Sequence, residues 1–168
     1  MAEPTSADPP RVPSWRPPGW VNAVVARLLR TPGIERWLGS YIALMVFKGC
    51  RSGRLYATPL TYHRDGDEVV IVTKRVRVWW RNLVDEPRVV LRLAGCNVQG
   101  VARVLSGDDE RLSTLLRFLD HRRLDARAYG LEFDDAGRID PDRARAVLPQ
   151  IVVIRVTLVM GGGGQDDS

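Results

Sequence analysis

Arg51 and Ser52 stand between two glycines in the run Gly49-Cys50-Arg51-Ser52-Gly53. A turn of this kind offers an anion backbone N–H groups, a hydroxyl and a guanidinium fork within one short loop. Further on, Thr73-Lys74 leads into an amphipathic run whose helix start, near Arg75 to Val78, adds free N–H groups and a positive dipole end. The same residues also describe a plain hairpin followed by an amphipathic helix. Spacing alone leaves both readings open.

Other chemistries find little to work with. No Gly-x-Ser-x-Gly is present, and His63 and His121 have no Ser or Cys partner in sequence. His63, at the end of a strand beside a hairpin, reads as a solvated edge residue. The pairs Asp108-Asp109 and Asp134-Asp135 fall at turns and helix starts, where capping accounts for them. No Gly-x-Gly-x-x-Gly follows a strand, so a Rossmann site is not expected. Cys50 and Cys96 form no Cys-x-x-Cys and have no His cluster nearby, which argues against a disulfide framework and a metal site.

The elements that must position the Gly49–Asn82 segment follow from periodicity. Trp20, Val21, Val24, Val25, Leu28 and Leu29 recur at helical spacing until Thr31-Pro32-Gly33. Tyr41 to Lys48 and Arg54 to His63 read as strands. Arg64-Asp65-Gly66-Asp67 is the strongest hairpin signal, because Asp-Gly suits a tight turn that needs positive φ. Val69 to Lys74 returns, and its four consecutive apolar residues predict burial on both faces. The period then changes: Val76, Trp79, Trp80 and Leu83 make one helix face, with Arg77, Arg81 and Asn82 off it, until Pro87. Arg88 to Leu93 and Val98 to Leu105 predict a second hairpin. Leu112, Leu115, Leu116 and Leu119 mark a helix capped by Asp108. Asp140-Pro141 opens a short helix to Leu148, and Ile151 to Val159 is the last strand. Six strands in meander order with inserted helices, and no βαβ alternation, predict a small mainly β (α+β) barrel rather than a parallel sheet.

A chain of 168 residues with 45% apolar and 27% charged residues fits one domain. We expect a disordered arm over residues 1–18, which carry six prolines, a folded domain over 19–160, and a Gly-rich tail over 161–168. No signal peptide or transmembrane run is visible, so a cytoplasmic setting is expected. A basic amphipathic segment such as residues 20–30 can lie on a membrane surface, but a helix covering one mouth of the barrel is the preferred reading. The net charge is +5, yet of 25 basic residues only Lys48 and Lys74 are lysine, and the arginines are scattered. Nucleic acid is therefore not an expected partner; a local site for a phosphorylated ligand uses these charges more economically.

Two motifs together carry a family resemblance. Gly49-x-Arg51-Ser52-Gly53-Arg54-x-Tyr56-x-x-Pro59-Leu60 precedes the Asp-Gly hairpin, and Trp79-Trp80-Arg81-Asn82-Leu83-x-x-x-Pro87-Arg88-Val89 follows it. In this order they resemble the deazaflavin-dependent nitroreductase family, most closely its nitroreductase/quinone reductase branch, over about Trp20 to Leu158. The resemblance implies a six-stranded antiparallel split β-barrel of the flavin-mononucleotide-binding type. It implies an oxidoreductase that passes a hydride from reduced coenzyme F-420, an 8-hydroxy-5-deazaflavin, to a quinone, enone or activated nitro acceptor. Carried over, Cys50, Arg51 and Ser52 fall in the cofactor-binding turn, and Tyr56, Thr58, Pro59, Leu60 and Thr61 on the strand beneath the ring system. Thr73 and Lys74 match a Ser-Lys pair that contacts the cofactor, and Val78, Trp79, Trp80, Arg81 and Asn82 match the Trp-containing helix start. Tyr129 is the candidate for a tyrosine over the substrate. No catalytic acid or base is assigned, since the cofactor carries the hard chemistry. The chain departs from its relatives in the short Lys74-Arg75-Val76-Arg77-Val78 link, which lacks Gly and Pro, and in having no Tyr-rich late stretch. The alternatives are flavin mononucleotide in the same barrel, and a non-catalytic carrier or sensor of a lipophilic ligand. Such barrels often form homodimers, although no residue pattern requires one here.

Overall fold

The computed structural model describes residues 42–93 and 96–159. The arm at 1–18, the helix expected over Trp20–Leu29 with its membrane option, Tyr41, the turn centre at 94–95 and the tail at 161–168 lie outside the described residues.

Six strands form one closed antiparallel barrel: β1 (Ile42–Lys48), β2 (Leu55–Asp65), β3 (Glu68–Lys74), β4 (Arg88–Leu93), β5 (Cys96–Val104) and β6 (Ile151–Leu158). Their order around the barrel is β1-β2-β3-β6-β5-β4, with β4 closing on β1. Alternation sorts the side chains. Met45, Phe47, Leu60, Tyr62, Val69, Ile71, Leu91 and Ile154 fill the interior. Val70, Val72 and Val153 point outward into a second core beneath the helices. The apolar run of β3 is thus explained: Val69 to Thr73 are all buried, on two faces by turns. Each such aliphatic side chain contributes about 1.5–3 kcal/mol by leaving water.

The second core is covered by α2 (Asp108–His121), which presents Leu112, Leu115, Phe118 and Leu119, and by α4 (Pro141–Val147) with Ala144. Asp140 caps α4, its carboxylate accepting from the Asp142 N–H at 2.9 Å. The predicted cap of α2 moves by one residue. Gly107 is the N-cap, and Asp108 instead pairs with the buried Arg111 at 2.9 Å. Arg111 has stronger reasons to stay: its guanidinium donates to the carbonyls of Leu148 and Ile151 and pins the entry of β6. Between α2 and α4 run the single turn α3 (Arg123–Ala126) and a 3₁₀ turn at Arg127–Tyr129.

The first hairpin forms as expected, with Gly66 at φ +58°. Asp65 pairs with Glu68, so the two loop residues are Gly66 and Asp67 rather than Asp65 and Gly66. From there the β2–β3 seam is paired only as far as Tyr62↔Ile71. Beyond that fork β2 continues along β1, through Thr61 to Leu55, while β3 continues along β6 through Val72 to Lys74. Arg75 N–H donates to the Gln150 carbonyl, so the alternating ladder turns the odd residues of β3 toward β6 and the even ones toward β2. Val72 therefore presents its carbonyl to the opened seam. Pro59 sits on the parted half of β2, where a strand tolerates a residue without an N–H.

Two expectations fail near this seam. His63 is not a solvated edge residue; it is half-buried, and its ring stacks on that of His121, the last residue of α2, at 4.0 Å. Burial and the neighbouring His121 ring lower its pKa. Val76 is not part of a helix face. The chain forms a turn after Lys74, then a 3₁₀ turn at Val78–Arg81 running into the single helical turn α1 (Asn82–Asp85). Val76 and Val78 are 83% and 60% exposed, and only Leu83 of the predicted stripe is fully buried. The link is too short to give a full turn before Trp79 packs on the barrel.

Candidate functional site

The opened end of the seam gathers the segments that the two motifs supply. The β1–β2 turn, the end of β3, the start of β6 and the Val78–Asp85 segment all leave the barrel at this end, because antiparallel pairing puts the last residues of β1 and β3 beside the first residues of β2 and β6.

The turn is tightly built. Gly49 N–H donates to the Arg54 carbonyl at 2.7 Å, and Gly53 N–H to the Gly49 carbonyl at 2.9 Å. Gly53 has φ +65°. A Cβ on Gly49 would come within 2.6 Å of the Tyr56 ring and 2.9 Å of Ser52 Oγ, so only glycine lets the turn close on that ring. Ser52 Oγ lies 3.1 Å from Tyr56 Oη and accepts from the Arg54 N–H at 3.3 Å. Its hydroxyl retains capacity for one further partner. Arg51 is exposed.

Asn82 ties this turn to the helical segment. Its Oδ1 accepts from the Cys50 N–H at 3.0 Å, and its Nδ2 donates to the Trp79 carbonyl at 2.8 Å. Trp79 in turn packs on Phe47, at 5.7 Å between ring centroids, and Phe47 stacks on Tyr56 at 5.9 Å. These three rings form one aromatic cluster at this end of the barrel. Trp80 is partly buried, with the guanidiniums of Arg75 and Arg81 over its ring at 5.8 and 5.7 Å. Its indole N–H donates to the Arg75 carbonyl at 3.3 Å.

The charges at this end are mainly positive. Arg51, Arg54, Lys74, Arg75, Arg77 and Arg81 are all exposed here, and none is ion-paired to a carboxylate among the described residues. The nearby Glu86 is engaged by Arg88 at 2.6 Å, whose hydrogen bond holds its carboxyl below the usual range. These cations outnumber the exposed carboxylate of Asp85 on the same segments, and the field they produce favours an anion.

Beside Lys74 opens a cavity of about 540 Å³, lined by residues 74–76, 128–130, 147 and 149–151. Its volume suits a small organic ligand. Tyr129 contributes its ring, but its hydroxyl donates to the Val72 carbonyl at 3.0 Å, filling the place left by the parted strand. Burial, reinforced by Asp125, raises this phenol to about 12. It stays protonated through the neutral range, and its proton is committed.

The residues named from sequence divide accordingly. Cys50, Arg51, Ser52, Tyr56, Trp79, Trp80, Arg81 and Asn82 belong to one connected patch, and Lys74 and Tyr129 to the adjoining cavity wall. Thr58, Pro59 and Thr61 lie on the parted stretch of β2. Leu60 turns its side chain into the barrel core, which leaves it only backbone to offer. Thr73 is buried, and Val78 is exposed outside the patch contacts. Missed from sequence were the far wall of the cavity, at Val147 and Pro149 to Ile151, and Arg75 on its rim. Neither carries a local signal, since they meet only through the β3–β6 pairing.

Fold and site together define a split β-barrel of the flavin-mononucleotide-binding type, with a cationic cleft at its open end. The chain belongs to the F420H(2)-dependent quinone reductase family, whose profile matches residues 20–130. It is an oxidoreductase that uses reduced coenzyme F-420 and acts on a small-molecule acceptor. Among curated proteins, no sequence matches. Among solved structures it is similar to a putative 5-nitroimidazole antibiotic resistance protein from Bacteroides thetaiotaomicron, at 12% identity and a TM-score of 0.52, covering 76% of this chain and 78% of that one. It is also similar to the heme storage protein HutZ from Vibrio cholerae, at 12% identity and 0.50, covering 78% and 91%. A FAD-binding protein from Mesorhizobium loti matches at 11% and 0.50, covering 76% and 87%. At such identities these likenesses establish the fold alone. No helix among the described residues is long and apolar enough to cross a membrane.

Proposed function

We propose that the cleft at the parted β2–β3 seam holds coenzyme F-420 and that the cavity beside Lys74 holds a quinone. The observation that carries this reading is the set of exposed cations Arg51, Arg54, Lys74, Arg77 and Arg81, without carboxylate partners among the described residues, on segments that leave the barrel where β2 parts from β3. A coenzyme with a phosphate, an acidic tail and a flat ring fits that donor set: cations for the one, a parted strand for the other. When bound, the reduced coenzyme supplies a hydride from C5 of its ring.

The chain's own residues then have separable tasks. Arg51 and Lys74 hold phosphate or tail carboxylates by charge-assisted hydrogen bonds, and the Ser52 hydroxyl adds a neutral one. Asn82 fixes the Cys50–Ser52 turn against the helical segment, so that those donors meet the anion already oriented. Phe47, Tyr56 and Trp79 seal the barrel end beneath the ring. The Tyr129 ring walls the acceptor cavity while its hydroxyl holds the β3 edge. No side chain is needed as acid, because solvent reaches the cavity mouth and protonates the product. Residues 19–160 act as one catalytic domain in this reading.

The test is a titration of the purified chain with coenzyme F-420 and with flavin mononucleotide, followed by acceptor reduction across quinones, enones and nitroaromatics. The expected result is deazaflavin binding near micromolar, about −8 kcal/mol, and turnover of a quinone. Stoichiometric flavin mononucleotide that deazaflavin does not displace would replace this reading with the flavin one, and binding of neither would favour a carrier.

A further inference from the structure

We infer that the cavity selects acceptors bearing an anionic group, and that Arg75 is the residue that reads it. This rests on the reading of the cavity as the acceptor site.

The walls of the cavity are mostly apolar: Val76, Val147, Pro149, Ile151 and the ring of Tyr129. Tyr129 has no proton to offer, since its hydroxyl is spent on the Val72 carbonyl. No carboxylate among the described residues lines the cavity. Its charged groups are Lys74 and Arg75, side by side in sequence at the end of β3. Apolar walls with a cationic rim match an amphipathic ligand, an aromatic or alkyl body ending in an acid.

Arg75 is better prepared than Lys74 to recognise that acid. Its N–H is fixed on the Gln150 carbonyl at 2.8 Å, and its carbonyl accepts from the Trp80 indole at 3.3 Å. Its guanidinium rests over the same indole at 5.8 Å, with no carboxylate partner among the described residues. The backbone of Arg75 is thus fixed at the rim, and its planar fork can grip a carboxylate through two parallel bonds. Lys74 ends β3 with a flexible stem and is a point charge. Arg75 lies in the short link that lacks Gly and Pro, so its position is set by the first residue past the strand rather than by a loose loop.

The probes are a 1,4-naphthoquinone substituted at both ring positions, one substituent carrying a carboxylate, and the methyl ester of the same compound. Full substitution keeps the exposed Cys50 thiol from adding to the ring. Binding to the coenzyme-free chain is read by tryptophan fluorescence, and reduction with coenzyme F-420 is read separately. The acid is expected to bind about tenfold tighter than the ester, the scale of one charge-assisted contact. Arg75→Gln should abolish most of that preference with an unchanged melting temperature, and Arg75→Lys should keep a part of it. Equal binding of acid and ester by the wild type, or an acid preference that survives Arg75→Gln, overturns the inference. The two readings fail separately: acid preference in binding with no reduction of either quinone removes the reductase reading alone. Reduction of both quinones with no binding preference removes this inference alone.

Discussion

At one end of the β2–β3 seam, Asp65 pairs with Glu68 and Tyr62 with Ile71, with Tyr62, Val69 and Ile71 turned into the closed interior and Val70 into the second core. At the other end the same two strands part, and Val72 receives a tyrosine hydroxyl where a strand would have bonded it. The paired end has buried apolar atoms on both faces, and its Glu68 is ion-paired with Arg155 at 3.6 Å. The parted end has cations without carboxylate partners among the described residues, exposed valines and a glycine turn packed to its limit. Stability is concentrated where the ladder is complete, and binding capacity where it is not. An unpaired cation contributes little to folding, so removing one changes affinity without weakening the barrel.

The largest effect should come from the paired end. Ile71→Ala deletes a fully buried side chain at the last pair before the fork, and a loss of about 2–5 kcal/mol is expected. Chemical denaturation measures it, and a loss under about 1 kcal/mol would mean that the interior relaxes into the gap. At the parted end, Arg51→Ala should leave the melting temperature in place while raising the coenzyme Kd by one to two decades, about 1.5–3 kcal/mol. Raising the salt should weaken the wild type more than the variant. Unchanged affinity would move the phosphate away from this turn.

Tyr129→Phe probes the fork itself. It strips the donor from the Val72 carbonyl and should cost roughly 1–3 kcal/mol, with a rise in KM for the acceptor as the cavity wall loosens. A variant of unaltered stability would show that water takes over that carbonyl. The smallest effect concerns His63. Its folded pKa lies below the ordinary 6.5, so the unfolded chain binds the extra proton first. Its contribution is complete above about pH 6.5 and declines as pH falls through that value toward the lowered one. Arg117 and Arg122 act with burial and His121 in this direction, and Asp65 opposes them. The melting temperature should therefore drop between about pH 7 and 5, and His63→Gln should flatten that slope.

Much of this could be read from the sequence, for local reasons. The positive φ demanded at Gly66, the unbroken apolar run of β3 and the cap at Asp140 are properties of a few adjacent residues, and each forms as its residue types require. The turn at Gly49–Gly53 and the Trp79–Leu83 run were visible as motifs, because their chemistry is written in consecutive side chains. Where sequence reading erred, a distant contact outweighed the local pattern. Val76 has the right spacing for a helix face, but Trp79 must reach Phe47, and the five residues from Lys74 to Val78 are spent on the turn. Asp108 has the right type for a cap, but the buried Arg111 claims it. His63 looked solvated, but the last residue of α2, His121, stacks on it. The parting of β2 from β3 has no residue signature at all. It arises because β2 must follow β1 on one side and β3 must follow β6 on the other, a conflict that exists only once the barrel is closed. That conflict puts Lys74, Arg75 and Tyr129 around one cavity with Pro149 and Ile151, residues that the chain order keeps apart and only the tertiary structure assembles.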